Sequence, residues 1–415
     1  MRRIAPHTRQ PLDPSHGVEI GDHTVTAPRG LGTSRFAITT LLGGVGVGLL
    51  LASRAVAAEP PAAVAPLAAA EPPAAVAPLA PLAALAPPTA ASPVAQAAAT
   101  DPAGPRDVAA HARLTAWQIE PRTAAAFAAL CPGCGHFYLD RPGRGVAYLG
   151  STVALVAGGL TLLSLDEPAG GDTRSAATKP IGIQLLMAGQ NLHFYNIFSA
   201  YRDARVARGD DDARFPITRE TLPALVSAPF RPSVLRRPWI WAGVPLAVGA
   251  ALGVSALISP DALGDSTRSL GEVDDVRFLG RSYSPGIGFA LGEAYHAALF
   301  VPVGLGEEAL FRGVLQAELA EHLGPWGGWA TASLIFGALH TLTFTGPDSS
   351  LADAAIAVPF ITAVGSGLGL AYMKTGYRLE TSVAAHFWYN FLLATASFVV
   401  DPEHQPFALR LGLQF

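Results

Sequence analysis

The feature that most constrains the fold is a series of apolar stretches that begins at residue 146 and continues almost to the end of the chain. They lie at 146–165, 181–201, 239–258, 285–305, 307–320, 328–344, 352–373 and 381–400. A helix that crosses the hydrocarbon core of a bilayer needs about 20 mostly apolar residues, and it satisfies its own backbone hydrogen bonds there. We therefore expect an all-α protein, a polytopic transmembrane helix bundle. Pro302, Gly304 and Gly306 predict that the helix before Glu307 is bent or broken.

The composition agrees with a membrane protein and excludes one class of partner. Half of the 415 residues are hydrophobic and only 14% are charged, which is typical of polytopic membrane proteins. The formal net charge is -4, and no dense basic run is interleaved with aromatic residues. The chain thus lacks the basic surface of a nucleic-acid-binding protein.

The N-terminal part is predicted to contain no packed domain. Residues 1–58 consist of a polar lead, a Gly-rich apolar run at 36–52 and small residues before Glu59, which is typical of a signal peptide or a signal anchor. An Ala/Pro-rich tract follows at 59–105, in which the sequence 59–67 recurs unchanged at 71–79. Proline every few residues prevents helical hydrogen bonding, so we expect this tract to be a disordered spacer.

The remainder divides by charge and hydropathy. We expect a two-span membrane module at 106–210, a basic cytoplasmic connector at 211–237, a membrane bundle at 238–402 with its motif core at 285–400, and a C-terminal tail at 403–415. The segment 202–237 carries eight arginines against five acids, which places it in the cytoplasm by the positive-inside rule. If 36–52 crosses the membrane outward, simple alternation of the loops between the two sides would place 202–237 outside. Either 36–52 does not span the membrane, or 124–139 dips into it and restores the order.

One cysteine pair could suggest a metal site. Cys131 and Cys134 are the only cysteines, and His136 follows them. A structural zinc ion needs four ligands, and the sequence offers no second cysteine pair. We therefore predict no zinc here.

Three charged residues lie inside the apolar part of the sequence, at Glu307, Glu308 and Arg312. Each charge costs on the order of 2.5 to 3.5 kcal/mol at the centre of a membrane helix, so such residues usually pair, line a wet cavity or do chemistry. Glu308 and Arg312 are four apart on a helix, so they should form an ion pair. Glu307 points about 100° away and lacks this partner, which suits a general base.

Two further motifs follow on later spans. Phe336 and His340 share one helix face, and so do His386 and Asn390. A single histidine in a membrane helix is more often structural. One glutamate, two histidines and one asparagine on three spans are better explained by a functional site.

The three motifs, Glu-Glu-x-x-x-Arg at 307–312, Phe-x-x-x-His at 336–340 and His-x-x-x-Asn at 386–390, resemble the CPBP (CAAX protease and bacteriocin-processing) intramembrane endopeptidases, the Rce1-like group. The resemblance covers about 285–400. It implies that Glu307 and His340 hold and deprotonate a water molecule, and that His386 and Asn390 stabilise the oxyanion. It gives Glu308, Arg312 and Phe336 a supporting structural role.

Members of the family have been described both as metalloproteases and as glutamate-type peptidases. If this chain depends on metal, Glu307, His340 and His386 would be the zinc ligands, because two histidines and one glutamate form a known catalytic set. The sequence contains no His-Glu-x-x-His motif. We therefore expect metal-independent hydrolysis without a cofactor, with zinc as the alternative.

The predicted function is endoproteolysis of a membrane-embedded or lipid-anchored peptide by a water that Glu307 and His340 activate. The expected partners are membrane lipid and a peptide or protein substrate in or at the membrane, and the expected location is a bacterial-type cytoplasmic (inner) membrane. The alternative is a non-catalytic scaffold or immunity-type protein of the same family. A transporter is less favoured, because no inverted repeat is evident.

Overall fold

The computed structural model describes residues 119–165, 175–209, 220–258, 268–341 and 351–402, together with Phe215. The predicted signal segment (1–58), the Ala/Pro spacer (59–105) and the C-terminal tail (403–415) lie outside the described residues. The helices in chain order are α1 (Pro121–Leu130), α2 (Cys134–Tyr138), α3 (Pro142–Ser164), α4 (Ser175–Arg208), α5 (Leu222–Val226), a 3₁₀ turn (Ala228–Phe230), α6 (Pro232–Leu235), α7 (Pro238–Ile258), α8 (Pro285–Glu308), a π-helix (Ala309–Gln316), α9 (Ala317–Leu339), α10 (Leu351–Lys374) and α11 (Leu379–Val400). Two short strands, β1 (Val276–Phe278) and β2 (Arg281–Tyr283), precede α8.

Helices α1 to α4 lie in the segment 106–210, for which the sequence predicts a two-span module. Proline occupies the first turn of α1 and α3, where its missing N–H removes no helical hydrogen bond. Cys131 and Cys134 form a disulfide in the turn between α1 and α2. In the same turn Gly133 has φ +85° and lies so close to Gly145 that a side chain would not fit.

Helices α3 and α4 pack through small residues. A Cβ atom at Gly159 would lie 2.8 Å from the carbonyl oxygen of Gly182. Such close backbone approach at small residues is typical of membrane helix pairs. The 34-residue α4 continues past α3 and also packs against α8 and the π-helix.

Glu220, a residue of the predicted connector, forms hydrogen bonds with the N-terminus of the last helix, α11. The carboxylate of Glu220 accepts hydrogen bonds from the backbone N–H groups of Leu379 (2.8 Å) and Glu380 (3.1 Å) at the start of α11. An anionic side chain stabilises this end of a helix, where N–H groups lack partners within the helix. This contact fixes the position at which α11 begins.

The strands form an antiparallel hairpin in which Val276 pairs with Tyr283. Its turn contains Leu279 (φ 48°) and Gly280 (φ 76°). Val276 packs against Gly288, where a Cβ atom would lie 2.5 Å from the valine side chain. The hairpin therefore covers the first turn of α8.

Helix α8 is not broken before Glu307. Of the bent or broken helix that we predicted, the break is absent, because α8 is continuous through Pro302. The departure from α geometry comes directly afterwards, in the π-helix from Ala309 to Gln316. Further on, Gly324 has φ 74° and ψ 169° inside α9 and, with Pro325, separates two of the predicted apolar stretches.

Four described helices are long and apolar enough to cross a membrane: Pro142–Ser164, Pro238–Ile258, Ala352–Lys374 and Leu379–Val400. Helices α4 and α8, also predicted as spans, are comparably long but are not among these four. Among the four, large apolar side chains such as Val146 on α3 and Leu246 and Leu257 on α7 are exposed, as expected for a surface that faces lipid. Within the described residues, the predicted all-α transmembrane bundle is confirmed.

Candidate active site

The acid pair lies at the end of α8, where this helix packs against α11. Gly304 permits the contact, because a Cβ atom there would lie 3.2 Å from the carbonyl oxygen of Val383 and 3.3 Å from the backbone nitrogen of Phe387. The two backbones are thus nearly in contact. This approach brings the acid pair to His386.

Glu308 occupies the centre of the site. Its Oε1 accepts hydrogen bonds from Arg312 Nη1 and from His386 Nδ1, each at 2.9 Å. The ion pair that the four-residue spacing predicts is therefore confirmed. The bond to His386 was not predicted, because 78 residues separate the two positions and no spacing rule applies across such a distance.

Arg312 links the π-helix to two further helices. Its Nη2 donates a hydrogen bond of 2.7 Å to the carbonyl oxygen of Gly365 on α10, and its guanidinium lies 4.5 Å from the ring centre of Phe336 on α9. A buried ion pair is tolerated when its remaining donors are satisfied in this way. Glycines within the apolar stretches were the available sequence signal for such close contacts.

Glu307 is the second carboxylate of the pair and has a different environment. Its side chain is buried, and no described residue forms a hydrogen bond with its Oε2. His386 Nε2 lies 3.9 Å from this oxygen. A buried carboxylate oxygen without a partner is costly unless a ligand or water occupies the position.

His386 faces both carboxylates. Its Nδ1–H donates to Glu308, which fixes the orientation of the ring and turns Nε2 towards Glu307. Asn390 is fully buried one helical turn further along α11. The predicted shared face of this motif is consistent with a continuous helix over both residues.

His340 follows the last residue of α9 and is buried. Its Nδ1 lies 2.7 Å from the carbonyl oxygen of Phe336, which can only accept, so Nδ1 carries the hydrogen and Nε2 is the basic nitrogen of the neutral ring. The rings of Phe336 and His340 are 4.5 Å apart. Phe336 therefore contacts both His340 and Arg312, and it joins the second motif to the first.

Glu307, His340 and His386 are the residues that would hold a zinc ion if the protein depended on metal. Both histidines use Nδ1 for a hydrogen bond to a carboxylate or a carbonyl, which is the arrangement that orients histidine ligands of metals. Over the described ranges, however, no three His, Cys, Asp or Glu side chains are close enough together to hold an ion. Glu307, His340 and His386, the alternative zinc ligands, are therefore not gathered around one point in the described structure, and no reaction step is assigned to a metal.

Fold and site together define a polytopic helical membrane protein with a buried carboxylate–histidine cluster. Residues 293–392 match the family model described as type II CAAX prenyl endopeptidase Rce1-like. This segment is an Rce1-like domain, and it contains all three motifs, so the resemblance found in the sequence is confirmed. No curated protein and no solved structure matches the chain.

Proposed function

We propose that the chain is an intramembrane endopeptidase that hydrolyses a peptide bond with a water activated by Glu307 and His340. The Rce1-like domain supports a hydrolase of the CAAX protease type. The observation that carries the proposal is the buried Oε2 of Glu307, which has no partner among the described residues and lies 3.9 Å from a histidine held by Glu308. A general base needs such an oxygen.

In the first step Glu307, assisted by the basic Nε2 of His340, takes a proton from the water. The water oxygen attacks the carbonyl carbon of the substrate, a C–O bond forms, and the carbonyl π electrons move to the oxygen. Positioned general bases contribute roughly 10² to 10⁴ in rate.

The negative oxygen then needs hydrogen-bond donors. His386 and Asn390 supply them in the proposal. His386 Nδ1 already donates to Glu308, so donation from Nε2 requires a ring that carries a hydrogen on both nitrogens. Donors placed in advance in a water-poor site are among the largest contributions to catalysis.

In the last step Glu307 returns the proton to the amide nitrogen. The oxyanion collapses, the C–N bond breaks, and a carboxylic acid and an amine leave. Burial of the acid pair and both histidines keeps bulk water from competing for these hydrogen bonds.

The proposed substrate is a membrane-embedded or lipid-anchored peptide in a bacterial-type cytoplasmic membrane. The description of the matched family names prenyl endopeptidases, so a prenylated C-terminal peptide is one class to test. A non-prenylated peptide of the same sequence is its matched control. Equal cleavage of both would exclude a role of the prenyl group.

The function is tested by comparing membrane proteomes. Cells that lack the protein are complemented with the wild-type chain or with Glu307→Gln. The proposal expects the same uncleaved proteins to accumulate without the chain and with Glu307→Gln. A non-catalytic scaffold would instead make Glu307→Gln indistinguishable from wild type.

A further inference from the structure

Helix α4 of the two-span module lies directly against the helix that carries the acid pair. At Gly306, the residue before Glu307, a Cβ atom would lie 2.5 Å from both the backbone oxygen and the side-chain Oδ1 of Asn191. Only glycine permits this approach. The carboxamide of Asn191 therefore contacts the backbone of the catalytic helix beside its proposed base.

The orientation of this carboxamide is fixed by one hydrogen bond. Asn191 is 1% exposed, and its Nδ2 donates to the carbonyl oxygen of Met187 at 2.9 Å. Because a carbonyl oxygen can only accept, the nitrogen must face Met187 and the oxygen must face away. Among the described residues no donor reaches Asn191 Oδ1.

A second asparagine on the same helix shows the contrast. Asn196 is buried, its Oδ1 accepts from the backbone N–H of Gly133 (3.2 Å), and its Nδ2 donates to the carbonyl oxygen of Ala128 (3.3 Å). Both ends of its carboxamide therefore hold α1 and the following turn against α4. The hydrogen bonds of Asn196 give it a structural role, whereas the Oδ1 atom of Asn191 accepts no hydrogen bond from the described residues.

We propose that Asn191 Oδ1 accepts a hydrogen bond from the hydrolytic water, so that α4 supplies a positioning residue to the active site. This inference rests on the proposed function. Asn191 Oδ1 contacts Gly306, and the next residue, Glu307, carries the buried Oε2. Among the described residues neither of these oxygens has a hydrogen-bond partner.

Water has two O–H bonds. The one whose proton is transferred faces Glu307 and the basic Nε2 of His340, and the other faces Asn191 Oδ1, which orients the lone pairs of the water for attack. The amide oxygen is not basic, so the proton that is transferred goes to Glu307. The other proton stays on the water oxygen and remains hydrogen-bonded to Asn191. In this arrangement the two-span module is part of the catalytic unit and not an independent domain.

The test compares Asn191→Leu with Asn196→Leu in the full-length protein in proteoliposomes. Leucine has nearly the shape of asparagine and removes the unused acceptor, so Asn191→Leu should unfold at the wild-type temperature or higher. Its kcat on a fluorogenic peptide that carries the cleaved sequence should fall about tenfold or more, with KM changed less than about twofold, because a group that acts only on the water affects the chemical step. Asn196→Leu should instead lower the unfolding temperature.

Two outcomes would overturn the inference. One is a wild-type kcat in Asn191→Leu, and the other is a loss of kcat that follows a loss of folded protein. Glu307→Gln is assayed in parallel. If Glu307→Gln is inactive while Asn191→Leu is fully active, this inference alone fails; if Glu307→Gln is active, the proposed function fails with it.

Discussion

Glu308 Oε1 lies 2.9 Å from His386 Nδ1, and the same oxygen accepts a hydrogen bond from Arg312. One buried carboxylate therefore joins the ion pair that stabilises the π-helix to the histidine that faces Glu307. The two acids of the motif, Glu307 and Glu308, are adjacent in the sequence but have different surroundings. Glu308 accepts two hydrogen bonds through Oε1, whereas Glu307 Oε2 has no hydrogen-bond partner among the described residues.

The Glu308–Arg312 pair should be essential for stability. Arg312→Ala leaves a buried carboxylate without its cation, which typically costs about 3–5 kcal/mol. We expect a large fall in protein level and in unfolding temperature in detergent. The control is Arg208→Ala, which removes a pair with Glu120 whose side chains are 36% and 46% exposed, and which should cost at most about 1 kcal/mol. Similar stability of both variants would contradict this account of the pair.

Close packing around Phe336 gives a second prediction. A Cβ atom at Gly365 would lie 2.6 Å from the ring of Phe336, whereas at Gly367, on the same helix, it would meet no described atom within 4 Å. Gly365→Ala should therefore destabilise the protein by about 1–3 kcal/mol. Gly367→Ala should be neutral or stabilise it by up to about 1 kcal/mol, because alanine favours the helix. Thermal unfolding of the two variants in the same detergent checks the difference, and equal effects would contradict the packing argument.

Asp203 should make stability depend on acidic pH. It lies beyond the apolar stretch 181–201, with Arg141 and Arg144 each at 2.5 Å and Arg202 at 3.2 Å. Burial alone would raise the pKa of Asp203, but the three arginines outweigh burial and hold it below its ordinary value. When folding lowers the pKa of a carboxylate, the charged group stabilises the folded state. This contribution is complete above the pKa of the unfolded state, about 3.9, and is lost as the pH falls from there towards the lower pKa of the folded state.

Asp203→Asn should therefore unfold at a lower temperature than the wild type at pH 6. The difference between the two should shrink as the pH is lowered through about 4 towards the folded-state pKa. A difference that grows on acidification would contradict the assigned sign. Glu120→Gln, which changes an exposed pair, serves as the control.

Metal dependence is checked separately. Because Glu307, His340 and His386 are not gathered as ligands in the described structure, we expect peptidase activity to survive prolonged treatment with a zinc chelator. Activity that is lost with the chelator and restored by zinc would assign these residues to a metal. The assay needs the purified chain in proteoliposomes and the cleaved peptide.

The spacing of residues along single helices predicted the contacts of the site that lie within one helix, but not the contacts between helices. The Glu308–Arg312 pair and the contact between Phe336 and His340 follow from a four-residue repeat on a helix. The bond from Glu308 to His386 depends on how α8 packs against α11, which no local pattern specifies.

Pro302 does not break α8. The sequence predicted a bent or broken helix, but α8 is continuous, and the segment that departs from α geometry is the π-helix after it. Within a bundle, neighbouring helices can satisfy the backbone groups that a proline leaves without partners.

The most direct test of the account is Glu307→Gln, measured as cleavage of the identified substrate by the purified full-length chain in proteoliposomes. Glutamine keeps the size of the side chain but cannot take a proton from water. We predict that the rate of cleavage falls by roughly 10² or more, while the unfolding temperature stays at or above that of the wild type. Cleavage at the wild-type rate by a folded Glu307→Gln protein would contradict the central claim that Glu307 is the base.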